Sequence, residues 1–431
     1  MTRVLVIGGG VGGLALAQAL QGRGVPVEVF ERDAEADDWL LGYRIHVNSD
    51  GSRALHTCLP RPLWEAFTAT AGHPGSGITF QTEQLAELLH VEEDLMTGGS
   101  TDPVDAHRAV SRIALRRLLL SGLNVHFGRT FERYTLNDDN TVTAHFTDGT
   151  TATGDVLVGA DGANSAVRGQ LLPDATRRDT DIHGVAGRVA LTPETRAWLP
   201  ASLRNGLGIV VPRDNTFFFT AVFDGRRRTT DALSAGTANV TETMLDQVED
   251  YVLWAFATRG APPADITPLI RHWHPDLRRV VAETNADTIR AMRFKTATEV
   301  APWPTTRVTV LGDAIHNMTP VMGLGANTAL RDAALLAHQL TAIHRGAPVL
   351  PALAEYERRM LDYGFQAMNN SRDMAHRFTS PNPLAKQAMR TWLRLCSAIP
   401  RLKRTAFSAE RTDDTKGLAP LDASYHDSGQ R

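Results

Sequence analysis

The sequence predicts an α/β fold built on a parallel sheet, interleaved with a β-rich region and closed by helices near its C-terminal end. Three observations predict it. A glycine-rich turn sits between an apolar strand and a helix near the N-terminus; two later apolar strands each end in a glycine and a carboxylate; and helical periodicity returns in the last quarter.

The first strand is Val4 to Ile7, a short, fully apolar run of the kind that fills the middle of a parallel sheet. Gly8, Gly10 and Gly13 follow as G-x-G-x-x-G, with Val11 opening a helix whose apolar side is Leu14, Leu16, Ala17 and Leu20. Gly22 and Gly24 end that helix, Val27 to Phe30 form a second strand, and Glu31 stands at its end with Arg32 beside it. Gly8 permits the tight turn, Gly10 lets a pyrophosphate approach the backbone, and Gly13 lets helix and strand pack closely. The helix N-terminus offers unpaired N–H groups and a partial positive charge to phosphates. Glu31 falls where a carboxylate accepts hydrogen bonds from a ribose diol. Together these parts point to a bound dinucleotide, against the plainer alternative of a glycine-rich turn with a solvated Glu31. The motif does not separate FAD from NAD.

Two further segments repeat the strand-then-carboxylate pattern. Val156 to Val158 leads through Gly159 and Ala160 to Asp161 and Gly162, with Ser165 and Arg168 beyond. Val308 to Leu311 leads to Gly312, Asp313 and His316, then to Pro320, Gly323, Gly325, Ala326 and Asn327, after which Ala329, Ala333, Leu336, Ala337 and Leu340 mark an amphipathic helix. Val110, Ser111 and Arg112 with Leu115 suggest another helix led by an arginine.

This set resembles the class A flavoprotein monooxygenases, the family of p-hydroxybenzoate hydroxylase. The resemblance spans roughly residues 1–340 and rests on the glycine motif, the D-G motif, and the G-D motif followed by P-x-x-G-x-G. It implies a Rossmann-like FAD-binding domain with non-covalent FAD. Gly8, Gly10, Val11 and Gly13 would hold the pyrophosphate and Glu31 the adenosine ribose, with Arg32 also at the cofactor. Arg112 would lie along the phosphate and ribityl region, Asp313 at the ribityl chain, and Asp161 would support both the FAD fold and the approach of a nicotinamide donor. The segment Gly42 to Asn48 resembles the stretch beside the isoalloxazine ring, where Tyr43 stands in place of a smaller residue. Arg44 there either meets the cofactor phosphates or is a surface arginine. Pro320, Gly323, Gly325, Ala326 and Asn327 would face the ring, where a helix N-terminus stabilises the negative charge of reduced flavin.

The resemblance also implies the reaction. NADPH or NADH binds transiently and reduces the flavin, O2 reacts to give a C4a-hydroperoxide, and one oxygen atom enters an aromatic or polyketide-like molecule. A flavoprotein that reduces its substrate, or keeps FAD as a scaffold for cyclisation, is the alternative. A halogenase is excluded by the absence of a W-x-W-x-I-P string, since Trp254, Trp273 and Trp303 stand alone. No catalytic triad is found or needed, because the cofactor carries the chemistry. His46, His183 and His316 are candidates for helping to deprotonate a phenol, His46 foremost, though a structural histidine is the plainer reading of each.

The division of the chain follows from length and pattern. At 431 residues it exceeds one ordinary core, which stops growing at roughly 250–300 residues. Residues 1–75, 104–175 and 288–345 are assigned to the FAD-binding domain. Residues 76–103 and 176–287 are assigned to a substrate-binding sheet, with strands expected over Gly184 to Leu191, Gly208 to Pro212 and Thr216 to Phe223. Phe217 and Phe219 alternate onto one face of the last strand, as pocket lining or sheet core. Residues 346–409 are expected to be helical and 410–431 a polar, flexible tail.

Composition sets the boundaries on partners. Lys plus Arg is 45 and Asp plus Glu 48, a formal charge of −3 that gives no case for nucleic acid or a membrane surface. The clusters Arg116–Arg117 and Arg226–Arg228 read as solvated faces. Cys58 and Cys396 alone make neither a metal site nor a disulfide framework. The chain runs from Met1 straight into a strand, so a cytoplasmic monomer or homodimer acting on a small molecule is expected.

Overall fold

The structure, a computed structural model, describes residues 2–34, 44–72, 75–224, 250–263 and 265–408. Tyr43, Arg226–Arg228 and the tail 410–431 lie outside the described residues.

The apolar runs Val4–Ile7, Val27–Phe30, Val156–Gly159 and Val308–Val310 join Val125–His126 in one five-stranded parallel sheet. Its order is Val308–Val310, Val156–Gly159, Val4–Ile7, Val27–Phe30, Val125–His126. The strands ending at Gly8, Asp161 and Asp313 are therefore neighbours, and all three discharge at the same edge. Helix Val11–Gly22 packs on helix Leu324–His344, which also packs on helices Ser49–Cys58 and Val349–Phe378. These layers share one core that runs from Val4 to Met368. A three-stranded antiparallel meander, Phe131–Leu136, Val142–Phe146 and Thr151–Gly154, lies beside it.

The second body is a seven-stranded mixed sheet. Its order is Arg290–Ala297, Arg177–Ala190, Tyr251–Arg259, Thr216–Phe223, Leu207–Val210, Gly77–Gln81, Glu87–Glu92, and only Leu207–Val210 with Gly77–Gln81 is parallel. One face packs Phe218, Trp254 and Phe256 under Trp273 and helix Pro275–Ala282; the other carries Phe217, Phe219 and Ala221.

The sheet differs from the sequence reading in three ways. The strand expected from Gly184 begins at Arg177, with a bulge between Asp179 and His183. Tyr251–Arg259 was not anticipated and is a central strand. Arg290–Ala297, assigned by sequence to the first domain, hydrogen-bonds to Arg177–Ala190 and is an edge strand of this sheet. Helices Val349–Phe378, Pro383–Ala398 and Pro400–Phe407 follow. No helix among the described residues is long and apolar enough to cross a membrane.

Candidate cofactor and substrate site

The glycine turn is built by exclusion. Gly8 has φ +112°, and a Cβ there would stand 2.3 Å from the Ala160 carbonyl oxygen; a Cβ at Gly13 would stand 2.3 Å from the Gly8 carbonyl oxygen. Gly10 is the opposite case, since a Cβ there would meet nothing within 4 Å among the described residues. Gly10 precedes helix Val11–Gly22, whose N-terminus no side chain caps. A bare helix end facing open space is a seat for an anion. Glu31 ends its strand buried, accepting the Gly9 N–H at 2.5 Å and the Asp33 N–H at 3.0 Å. Arg32 is exposed beside it.

The other end of the cleft is formed where the third strand stops. Gly312 takes φ +62° and Asp313 opens a short helix with its side chain exposed. Arg112 stands at the first position of helix Arg112–Leu120; burial lowers its pKa and the charge of Asp313 opposes that shift, so the two are electrostatic neighbours. Gly325 lies at the same place, since a Cβ there would be 3.9 Å from Asp313 Oδ1. Pro320 is exposed, Ala326 half-buried, and Gly323, at φ +64°, leads into helix Leu324–His344, another helix whose N-terminus no side chain caps. Asn327 turns inward: its Nδ2 donates to the His46 carbonyl at 2.8 Å and its Oδ1 accepts the Asn48 N–H at 3.0 Å. The ring-side loop is thereby tied to strand Arg44–Val47. Asp161 accepts Ser165 Oγ–H at 2.5 Å and the Ala166 and Val167 N–H groups at 2.7 and 3.2 Å, fixing the start of helix Ala166–Leu171; burial raises its pKa against those bonds.

Strand Arg44–Val47 pairs with Arg108–Ser111 and carries the substrate-side groups. Arg44 is buried next to Tyr251 of the seven-stranded sheet, which rules out the surface reading; burial brings its pKa down to about 10. Burial pushes the Tyr251 phenol up to about 12, against the pull of Arg188, whose guanidinium lies 5.1 Å from the ring centroid, and of Arg44. Phe219 is half-buried, while Phe217 is 4% exposed and stacks on Phe378 at 4.7 Å, so of the pair only Phe219 keeps free surface. His183 pairs with Thr258, at the opposite end of the sheet from Tyr251. Arg44 and Phe219 both adjoin the cluster around Tyr251, while Phe217 and His183 stand apart from it.

A family model described as an FAD binding domain matches residues 1–371. The chain belongs to the class A flavoprotein monooxygenases. The chain is 30% identical over 387 residues to the 3-amino-4-hydroxybenzoate 2-monooxygenase of Streptomyces cremeus, covering 88% of each chain. It is 32% identical over 373 residues to a dual O-methyltransferase/FAD-dependent monooxygenase of Phaeosphaeria nodorum, covering 77% of this chain and 39% of that one. It therefore spans well under half the length of such fungal dual enzymes. Its fold superposes on Klebsiella pneumoniae HpxO solved with FAD and uric acid at a TM-score of 0.75, with 22% identity and 98% of each chain covered.

Two supports of the candidate site were missed by sequence reading. Arg116, read as part of a solvated face, is 1% exposed and its Nε donates to the Gly9 carbonyl at 3.1 Å, bracing the glycine turn from behind. Helix Arg112–Leu120 turns that position inward while Arg117 stays half-buried. Asp332 is wholly buried and accepts the Gly312 N–H at 2.7 Å, a bond from His316 Nε2 at 2.7 Å and the Tyr363 hydroxyl at 2.6 Å. Burial drives the His316 pKa down, but Asp332, by charge and hydrogen bond, and Asp313 outweigh it, and the pKa is raised. His316 is thus the lock beneath the Gly312–Asp313 turn and is spent on Asp332. A lone acid among Leu330, Ala333, Leu336 and Ala337 was the available signal, because a buried carboxylate requires partners.

Proposed function

We propose that this enzyme uses NADPH or NADH with O2 to insert one oxygen atom into a hydroxylated aromatic or polyketide-like molecule. The arrangement that supports the reading is local: the uncapped helix N-terminus after Gly10 follows the first strand of the parallel sheet, and the one at Gly323 adjoins Asp313 beyond the strand Val308–Val310, where the Asp313 charge acts on Arg112. An extended anionic dinucleotide fits that arrangement. Gly8, Gly10, Val11 and Gly13 seat the pyrophosphate, Glu31 the adenosine ribose with Arg32 at its rim, and Arg112 and Asp313 the ribityl and phosphate region. Asp161 holds the fold under the cofactor, and Pro320 through Asn327 present the second helix end to the ring, with Arg44 nearby. A helix end stabilises charge there by about 0.3–1 kcal/mol when exposed and up to about 2 when partly buried. FAD, when bound, supplies the electrons that activate O2. The protein's own part is to orient substrate, exclude water and move protons. One glycine motif leaves the nicotinamide donor to bind transiently. The S. cremeus relative is named for a ring bearing hydroxyl and amino groups, and the fungal relatives pair oxygenation with O-methylation, which both suit a phenol.

Stopped-flow mixing of oxidised enzyme with NADPH or NADH under anaerobic conditions, with a panel of phenols and polyketides, tests this. A matching phenol is expected to accelerate flavin reduction, and 18O from O2 to appear in the product. Label-free product with every compound would return the chain to the scaffold or reductase reading.

A further inference from the structure

Helix Pro383–Ala398 is packed inside out. Two of its cations are buried: Lys386 Nζ donates to the Thr216 carbonyl at 3.0 Å and the Phe378 carbonyl at 2.5 Å, and Arg390 pairs with Glu83 at 3.1 Å. Leu393 and Cys396 accompany them into the cluster that holds Phe217 and Phe378. Leu384, Trp392 and Leu395 face solvent instead, with Ile399 at the C-terminal cap, exposed by 78, 44, 45 and 46%. These are four of the nine large apolar side chains exposed among the described residues, and the other five stand on separate elements. Leu384, Ala388, Trp392, Leu395 and Ile399 recur every three or four residues and so form one ridge along the helix. Single apolar side chains on a surface are ordinary, but a contiguous ridge marks a contact.

Charge indicates the occupant. Between Asp373 and Glu410 lie seven lysines or arginines and no acid, an excess hidden by the chain's total of −3. Arg394 flanks the ridge, and Arg401 and Arg404 follow it, three apart on helix Pro400–Phe407; all three are exposed and form no ion pair among the described residues. A second copy seated on the ridge about a two-fold axis would set these cations against their own kind. A bilayer with anionic headgroups offers the complementary order, negative charge at the rim and acyl chains beneath it. Trp392 is the type of side chain that sits at that boundary, apolar in body with one polar N–H.

We propose that helix Pro383–Ala398 is a reversible docking surface for an anionic lipid bilayer. The ridge from Leu384 to Ile399 enters between the headgroups, and Arg394, Arg401 and Arg404 meet the lipid phosphates. The attachment is peripheral, through one helix face, and is therefore sensitive to salt.

The test floats the FAD-loaded full chain with vesicles of phosphatidylcholine alone or of equimolar phosphatidylcholine and phosphatidylglycerol. Beside it run the pair Trp392→Ser with Leu395→Ser and the triple variant Arg394→Gln, Arg401→Gln and Arg404→Gln. Wild type is expected on the anionic vesicles and not on the neutral ones. Raising salt from about 0.1 to about 1 M shortens the screening length from about 10 to about 3 Å and should release it. Each cation is worth about fivefold in partition at an anionic surface, so the triple variant should bind about a hundredfold more weakly. The serine pair should lose binding while FAD content and thermal unfolding, which certify the fold, stay at wild-type values. Equal binding to neutral and anionic vesicles, or binding that both variants retain, would overturn the proposal. Absence of binding to either vesicle would overturn it as well, and a dimer in sedimentation equilibrium that the serine pair dissociates would then give the ridge to a second copy.

Discussion

Gly8 and Gly13 of the first turn are packed differently from three glycines inside strands of the seven-stranded sheet. In the parallel sheet, a Cβ added at Gly8 or Gly13 would strike a backbone carbonyl oxygen at 2.3 Å. In the seven-stranded sheet, a Cβ at Gly184, Gly187 or Gly208 would strike side chains first: Phe294, Thr284 and Thr220. A backbone obstacle is the same whatever the neighbouring residue is, so no second substitution removes it. A side-chain obstacle disappears when that neighbour changes. The first turn is therefore tied to glycine at Gly8 and Gly13, and so is the second sheet at Gly77, where a Cβ would stand 2.0 Å from the Val91 carbonyl oxygen; the strand interiors at Gly184, Gly187 and Gly208 are tied only to a total of shape and volume.

The sharpest way to break this contrast is within one motif. Gly8→Ala combines a left-handed φ with a backbone collision, and strain of about 1–3 kcal/mol plus overpacking of about 1–3 kcal/mol should lower stability by roughly 2–6 kcal/mol, even without FAD. Gly10→Ala meets open space, so apo stability should be unchanged while FAD affinity falls. Thermal unfolding of the apoprotein and a flavin-fluorescence titration separate the two. Equal FAD affinity in Gly10→Ala and wild type would move the pyrophosphate elsewhere.

That difference also explains what could be read in advance. The strands at Val4, Val27, Val156 and Val308 were visible because a buried parallel sheet demands continuous apolar runs that end in glycine and acid. Tyr251–Arg259 is equally apolar, but no turn motif or periodic partner announced it. Arg290–Ala297 was placed in the wrong body because an edge strand with Arg290, Arg293 and Lys295 carries little apolar signal. Among the candidate residues, the glycines, Arg112, Asp313 and Asn327 stand in motifs and so could be named in advance; their roles toward a cofactor belong to the proposal. The inward turn of Arg44, Arg116 and Asp332 was not, since charge in a sequence reads as surface until packing says otherwise.

Asp332 sharpens the comparison from inside the cofactor body. Asp332→Asn removes the charge facing His316 and weakens the acceptor shared by Gly312 and Tyr363, at a cost of about 3 kcal/mol, the scale for breaking a buried pair. The pH dependence has a definite sign. The His316 pKa is raised in the folded protein, so its contribution is complete below the ordinary value of 6.5 and is lost as pH climbs through the raised value. Urea unfolding of wild type should show stability declining across that window, and His316→Gln should flatten the decline. A decline of the same slope in His316→Gln would assign the pH dependence to another group.

The smallest effect belongs to the substrate body, where side chains are exchangeable. Phe219 alternates onto the same face as Phe217, yet only Phe217 is closed off, by its stack on Phe378. Phe219→Leu keeps most of the apolar volume, and a volume-conserving exchange at a half-buried position should cost less than about 1.5 kcal/mol. FAD content and the rate of unstimulated NAD(P)H oxidation should stay at wild-type values, because the residue lies on the sheet and not on the glycine turns. What should move is the order of preference among phenols, by about tenfold in kcat/KM, the low end of the roughly 10–200-fold that one altered contact in an apolar pocket discriminates. The comparison fails if Phe219→Leu loses FAD, which would make the sheet part of the cofactor site. It fails in the other direction if every phenol keeps its wild-type kcat/KM, which would remove Phe219 from the pocket wall.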